Sequence, residues 1–289
     1  MKTRYMELMA KANIIPNFFC SDEYFTLSAL VEKIEDGHVY WFDPDTGWIV
    51  CPPLEEDTGK PITKFGPDWM QKVWADLTGW VMPGYSSSTF LDLEIIYNPA
   101  KFLKMEGGEW QTFRKNSRKY PNRFKHGKLE YERLENLQSK MNPIILKDRM
   151  MKLYSDWANH KEESIEDSTL IMRYIDRGEN RKVLHNKGDI IGINIWDKNR
   201  KYVNFRFCIC KNEDFLSEYM RLLFYTDNDI LQTGLMVNDG GVLDNPRLEK
   251  FKMKMNPIGI RNVRSWVKSV ELGQKLASTE YRGTNVHHD

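Results

Sequence analysis

Residues 182–238 read KVLHNKGDIIGINIWDKNRKYVNFRFCICKNEDFLSEYMRLLFYTDNDILQTGLMVN, and the periodicity of this stretch decides the fold class. Three runs, Lys182–His185, Asp189–Trp196 and Lys201–Cys210, are rich in Ile, Val, Phe and Tyr, as pleated strands are. Asn186-Lys187-Gly188 and Asp197-Lys198-Asn199 punctuate them as tight turns. The period then changes, because Leu216, Tyr219, Leu222 and Leu223 recur at helical spacing through Phe215–Tyr225. Ile230–Val237 returns to strand character. Consecutive strands followed by alternating helix and strand describe an α+β chain, with mixed, mostly antiparallel sheets flanked by helices.

Working outward, Ile144–Lys161 predicts a helix with Leu146, Met150, Leu153, Tyr154 and Trp157 on one face. A second helix spans Glu166–Arg177 and stops at Gly178. Downstream, Asp244 or Asn245 opens a helix over Pro246–Met255, and Asn256-Pro257 breaks it before a strand at Ile258–Val263. The order from Ile144 is thus α-α-β-β-β-α-β-α-β. The first part predicts shorter elements: a helix from Asp22 through Lys33, a hairpin pairing Val39–Phe42 with Trp48–Cys51, and a helix over DWMQKVWADLTGW after Pro67. Leu91–Tyr97 reads as a strand, with Asn98-Pro99 starting a helix.

Composition excludes several classes. The chain has 289 residues, 41% of them hydrophobic, with 14 Phe, 13 Tyr and 9 Trp, too much apolar surface for disorder throughout. Lys+Arg 42 against Asp+Glu 41 leaves a net charge of +1, so any polyanion site is local. No run approaches the roughly 20 apolar residues of a membrane span. The start, MKTRYMELMAKANIIPNFF, carries charges where a signal peptide needs an apolar core, and a cytoplasmic protein is expected. The four Cys, at 20, 51, 208 and 210, and the scattered His share no metal-ligand or redox spacing, so no metal is expected. The Trp-rich first part is read as core packing.

One charge feature stands out. Residues 113–128, FRKNSRKYPNRFKHGK, hold seven Lys or Arg and no acid. Arg114, Lys115, Arg118, Lys119, Arg123 and Lys125 could bind a phosphate backbone of tRNA or DNA, with Tyr120 and Phe124 available for stacking. Like charges four apart on a helix repel, so the block needs a bound anion or acids from elsewhere in the chain, such as Glu130, Glu132 and Glu135.

The element order from Ile144 resembles the GNAT superfamily of acyltransferases. Phe102-Leu103-Lys104-Met105-Glu106-Gly107-Gly108 followed by RKNSRKYPNRF is similar to a segment of the phosphatidylglycerol lysyltransferase-like C-terminal domains. NDGGVLDNPRLEKFKMKMNP, residues 238–257, resembles the closing pattern of that group and of the Fem aminoacyltransferases, here on Asp239, Gly240, Gly241, Leu248, Phe251 and Lys252. The resemblance covers about residues 90–265. It implies a tandem GNAT-like fold: residues 1–110 as a degenerate half, 111–143 as a basic connecting helix and linker, 144–268 as the acyltransferase half, and 269–289 as a polar tail. The implied activity is transfer of an acyl or aminoacyl group onto an amine or hydroxyl of a lipid, a peptidoglycan precursor or a nucleic-acid base. The donor would be an aminoacyl-tRNA or an acyl-coenzyme A, and a DNA-modifying enzyme falls within this range. The alternative is a non-catalytic nucleic-acid-binding module on the same fold.

One departure bears on the donor. Coenzyme A users in the superfamily carry a glycine turn whose backbone N–H groups cradle the pyrophosphate. The equivalent Lys211-Asn212-Glu213-Asp214-Phe215-Leu216-Ser217 has no glycine and two acids, so acetyl-coenzyme A is expected to bind poorly. For the transfer centre, Asp239 is the candidate base and Lys252 the candidate oxyanion stabiliser or donor-phosphate ligand, with Gly240 and Gly241 against the donor. Asp239 could equally be a turn residue capping the two glycines, and Lys252 a snorkelling surface lysine. As a catalytic pair they would be removable with loss of activity and little loss of stability. No G-x-S-x-G elbow or phosphate loop offers a competing site.

Overall fold

The computed structural model describes residues 3–63, 70, 72–77, 80, 85–87, 92–124, 128–160, 168–242 and 245–268. In chain order the elements begin with α1 (Arg4–Lys11), α2 (Asp22–Leu27), β1 (Val31–Glu35), β2 (His38–Phe42), β3 (Leu54–Glu55), β4 (Lys72–Val73), β5 (Tyr85–Ser87) and β6 (Asp92–Tyr97). Then come α3 (Ala100–Lys104), α4 (Gln111–Asn122), β7 (Leu129–Arg133), α5 (Leu134–Lys140), α6 (Pro143–Asn159) and α7 (Ser168–Arg177). The remainder is β8 (Asn180–Asn186), β9 (Asp189–Lys198), β10 (Tyr202–Cys210), α8 (Leu216–Tyr225), α9 (Asn228–Leu231), β11 (Met236–Asn238), α10 (Pro246–Met253), β12 (Gly259–Val263) and β13 (Trp266–Lys268).

These elements form two compact units. The first takes Met1–Cys20, Ala29–Asp92 and Asn262–Asp289, and the second takes Ser21–Ser28 with Leu93–Arg261. The division therefore falls at residues 92 and 93, ahead of the expected 110, because β6 pairs with β11 and carries α3 and α4 with it. The first unit holds two three-stranded sheets, β1-β2-β3 and β4-β13-β5. The second is built on a seven-stranded sheet of order β12-β6-β11-β10-β9-β8-β7. Only one of its described pairings, β10 with β11, runs parallel.

Both faces of that sheet are covered, which explains the continuous apolar strands. On one face Val183, Ile193, Ile195 and Ile209 pack against Leu146, Met150 and Leu153 of α6 and Ile171 and Tyr174 of α7. On the other, Trp196, Val203 and Phe205 meet Phe224 and Tyr225 of α8 and Phe102, Trp110 and Phe113. Phe102 stacks on Tyr225 and Phe205 on Phe224, each pair with centroids 4.0 Å apart. Such ring pairs contribute about 0.5–1.5 kcal/mol each beyond their burial.

Three sequence expectations are corrected. The helix from Asp22 ends at Leu27, because Ala29 takes a left-handed φ of 59° and the β-branched Val31 and Ile34 then enter β1. The helix over DWMQKVWADLTGW is absent at its described residues: Lys72 and Val73 form β4, and Ile49 bridges Val73 in place of helical bonding. The strand expected over Ile230–Val237 starts as α9, whose N-cap Asp227 accepts from the Asp229 N–H at 2.8 Å, leaving only Met236–Asn238 for β11. The expected tail at 269–289, along with Lys125 and His126, lies outside the described residues.

Candidate functional site

The parallel strands β10 and β11 pair over only three positions, Tyr202–Asn204 against Met236–Asn238. Beyond them β10 continues to Cys210 alongside β9, while the chain after β11 follows β6. There the Asp239 N–H donates to the Ile95 carbonyl at 3.0 Å, and the Ile95 N–H donates to Gly240 at 3.2 Å. The two strands thus part at Asn238, making a fork whose far side is closed by α8 and α10.

Asp239 and Lys252, expected together from sequence, meet at this fork. Lys252 Nζ is 3.3 Å from Asp239 Oδ1 and donates to the backbone carbonyls of Asp239 and Gly241, the latter at 2.7 Å. Arg221 Nε and Nη2 lie 3.3 and 3.4 Å from the two Asp239 oxygens, and the Tyr225 hydroxyl donates to Oδ2 at 2.8 Å. Asp239 and Lys252 are each 4% exposed. Burial opposes ionisation of Asp239, yet the charges of Arg221 and Lys252 hold its carboxyl below the usual range. Burial and then the Asp239 charge push the Tyr225 hydroxyl up, so it remains a donor. The result is an ionised carboxylate held by Arg221, Lys252 and Tyr225. Arg221 lies between the rings of Phe205 and Phe251, at 5.4 and 5.0 Å, and fills the apex of the fork.

Gly240 and Gly241 are likewise engaged within the chain. Gly240, at a left-handed φ of 62°, donates its N–H to the Asn238 side chain, and Gly241 accepts from Lys252. Their role is the tight turn that returns the chain toward α10, whose N-cap Asn245 accepts from Leu248 at 3.0 Å.

The basic block and the acidic turn resolve each other. Helix α4 packs on the start of α8, and its Lys119 lies 4.1 Å from the Phe215 ring. Arg123 stacks on the same ring and pairs with Asp214 at 3.8 Å, while Asn116 donates to Glu218 at 3.2 Å. Arg114 donates to the Met105 carbonyl at the end of α3. Lys115 and Arg118 are exposed. The acid paired with the block among the described residues is Asp214; the expected Glu132 and Glu135 pair with Lys140 and Arg181 instead.

A further polar cluster was not legible in the sequence. Asp197, fully buried, accepts from Arg206 Nε at 2.6 Å, from the Ser21 and Tyr174 hydroxyls at 2.8 Å each, and from Asn204 at 2.8 Å. Glu23 borders it and accepts the Glu179 N–H at 2.8 Å. Desolvation, with a smaller push from Asp197, raises its carboxyl from 4.5 to about 7. Across the sheet Asn238 donates to Glu94 at 3.0 Å, and Arg261 pairs with Glu94 at 3.6 Å. Strand register also brings His185 opposite Glu130 and beside Glu132. Glu132 is bonded to His185 at 2.9 Å and to Lys140 at 2.7 Å.

At the level of sequence, no protein-family profile matches the chain and no curated protein is similar to it. Its fold has known counterparts. A conserved protein of unknown function from Bacteroides thetaiotaomicron matches with a TM-score of 0.65 at 11% identity, over 91% of this chain and 95% of that one. The L-PGS structure from Bacillus licheniformis matches with a TM-score of 0.60 at 11% identity, over 92% and 91%. FemX matches with a TM-score of 0.54 at 10% identity, over 95% and 98%. The chain shares the α+β fold of these structures. At these identities the likeness concerns the fold. Among the described residues no helix is long and apolar enough to cross a membrane.

Proposed function

We propose that the protein moves an acyl or aminoacyl group onto an amine or hydroxyl of a larger acceptor. The observation that carries this reading is the fork between β10 and β11, a break in a parallel pair with charged groups set at its apex. The nucleophile attacks the donor carbonyl, the ester or thioester bond breaks, and one proton passes from nucleophile to leaving group. Arg221 is the cation of the fork that would meet the donor, and since Asp239 and Ser217 hold its guanidinium, a donor would engage it by displacing one of those contacts. Asp239, Tyr225 and Lys252 act as positioning residues that hold Arg221 and the strand end. An aminoacyl-tRNA donor suits the turn at Lys211–Ser217 better than acyl-coenzyme A, because Glu213 and Asp214 replace a phosphate cradle. The shared fold of L-PGS and FemX supports the same class of reaction.

The protein should be incubated separately with charged tRNA and with mixed acyl-coenzyme A, in the presence of lipid, cell-wall precursor and nucleic-acid fractions. Mass spectrometry should find donor consumption matched by an acceptor of increased mass. Arg221→Met should lose that product with the donor intact. Absence of transfer in every combination would favour the second reading, a non-catalytic nucleic-acid-binding module. The specific observation behind that reading is the filled fork apex together with exposed Lys115 and Arg118.

A further inference from the structure

The face of the large sheet opposite the fork is covered by α6 and α7, and with α5 these helices enclose a cavity of about 630 Å³. That lies within the roughly 300–1,000 Å³ usual for small-molecule sites. Its base is apolar and buried: Leu134, Leu146, Met150 and Ile175. Met151 and Met172 line it as well, unbranched side chains that adapt to an irregular occupant. Its charged lining is unequal, with Lys147, Arg173 and Arg177 against the single acid Asp176; Asp176 lies 3.6 Å from Arg177, and Arg173 donates to the Leu27 carbonyl at 2.9 Å. Lys147, Asp176 and Arg177 are all exposed, so the mouth keeps a net positive charge, led by Lys147, above the apolar base. Met151 at the same helix is 37% exposed, and Ile144 and Ile145 at its start are 72% and 48% exposed.

We infer that this cavity binds a single-chain amphiphile with an anionic head, a long-chain carboxylate, with its chain among the methionines and its head at Lys147 and Arg177. A polar ligand would leave the base unmatched, and a neutral or cationic amphiphile would leave the mouth unmatched. The site is separate from the fork and does not depend on acyl transfer occurring there.

Calorimetry with monomeric laurate, decanoate and octanoate should show affinity rising with chain length, by up to about fourfold per methylene. Dodecyltrimethylammonium, of equal chain length and opposite charge, should bind at least about tenfold more weakly than laurate, since the mouth would repel it. Met151→Trp, which fills the cavity, should reduce laurate binding, and Lys147→Glu with Arg177→Glu should remove the preference for the anionic head. The latter two residues are exposed, so that variant tests the proposal even if the former folds poorly. Affinity indifferent to chain length, or to head charge in the intact protein, would overturn it. Binding only to vesicles of anionic phospholipid, with none to monomeric laurate, would overturn it too, since that is surface adsorption.

Discussion

Lys252 grips Asp239 twice, through its carboxylate at 3.3 Å and through its backbone carbonyl. The same ammonium also takes the Gly241 carbonyl, so one side chain of α10 fixes the end of β11 and the turn after it. The Tyr97 hydroxyl in turn donates to the Lys252 carbonyl at 2.8 Å, tying α10 to β6.

This geometry argues that removing either member of the pair costs stability, against the sequence expectation of an unchanged melt. Lys252→Met leaves Asp239 with Arg221 as its one cationic partner, beside the Tyr225 hydroxyl, and strips the Asp239 and Gly241 carbonyls of their donor. Breaking a buried pair on one side costs roughly 3–5 kcal/mol. Denaturant unfolding should register a loss of that order, and Asp239→Asn should cost at least as much, because Arg221 and Lys252 would both lose their counter-charge. A melt unchanged by Lys252→Met would restore the catalytic reading of that residue.

Glu23 gives the fold a pH dependence. Its carboxyl is raised to about 7 against an ordinary 4.5, so the folded state holds a proton that the unfolded state has released between those values. The associated stability is complete below about pH 4.5 and is lost as pH rises through about 7. The span corresponds to at most roughly 3 kcal/mol, and partial exposure makes it smaller. Glu23→Gln keeps an acceptor for the Glu179 N–H and has no proton to lose. Chemical denaturation from pH 5 to 8 should show a falling stability in the parent protein, and a flatter one in the variant.

The second unit was legible because its elements are long and periodic. Strands β8 to β10 and helices α6, α8 and α10 fall where alternation and i, i+3/i+4 spacing put them. Asp239 and Lys252 were found as a pair, since the Gly-Gly turn and the helix start between them are punctuated in the sequence. Their partners were not. Arg221 and Tyr225 belong to a helix read only for its leucines, and period 2 assigns Asn204 and Arg206 to a solvent face that does not exist in a sheet covered on both sides. Asp197 was read as a turn residue and is instead the buried acceptor of four groups. Among the described residues of the first unit the elements are two to five residues long outside α1, too short for periodicity to separate strand from helix.

Acetyl-coenzyme A should not bind with micromolar affinity. Helix α8 begins at Phe215 in a left-handed conformation, with Glu213 and Asp214 exposed before it and α4 packed across it. Neutralising the turn as Glu213→Gln with Asp214→Asn removes the repulsion and supplies no cradle of glycine N–H groups, so calorimetry should find little gain. Tight binding by the parent protein would contradict the donor assignment.

Polyanion binding, if it occurs through α4, should depend on the side chains that α8 leaves uncommitted. Arg114 is held by the Met105 carbonyl, and Lys119 and Arg123 lie over Phe215, whereas Lys115 and Arg118 are exposed. Each phosphate contact contributes about one unit to the slope of log affinity against log salt. Lys115→Glu with Arg118→Glu should therefore weaken tRNA binding and lower that slope by about two, with the melt unchanged. Arg123→Glu should act differently. Its pair with Asp214 at 3.8 Å joins side chains 44% and 85% exposed, and such pairs are worth at most about 1 kcal/mol. Reversal there should loosen the contact of α4 with α8 slightly and change the salt slope less than the exposed pair does. Filter binding across a salt series separates the two cases: equal slopes for all variants would remove α4 as a phosphate-binding element and leave its charges as the counterpart of the acids on α8.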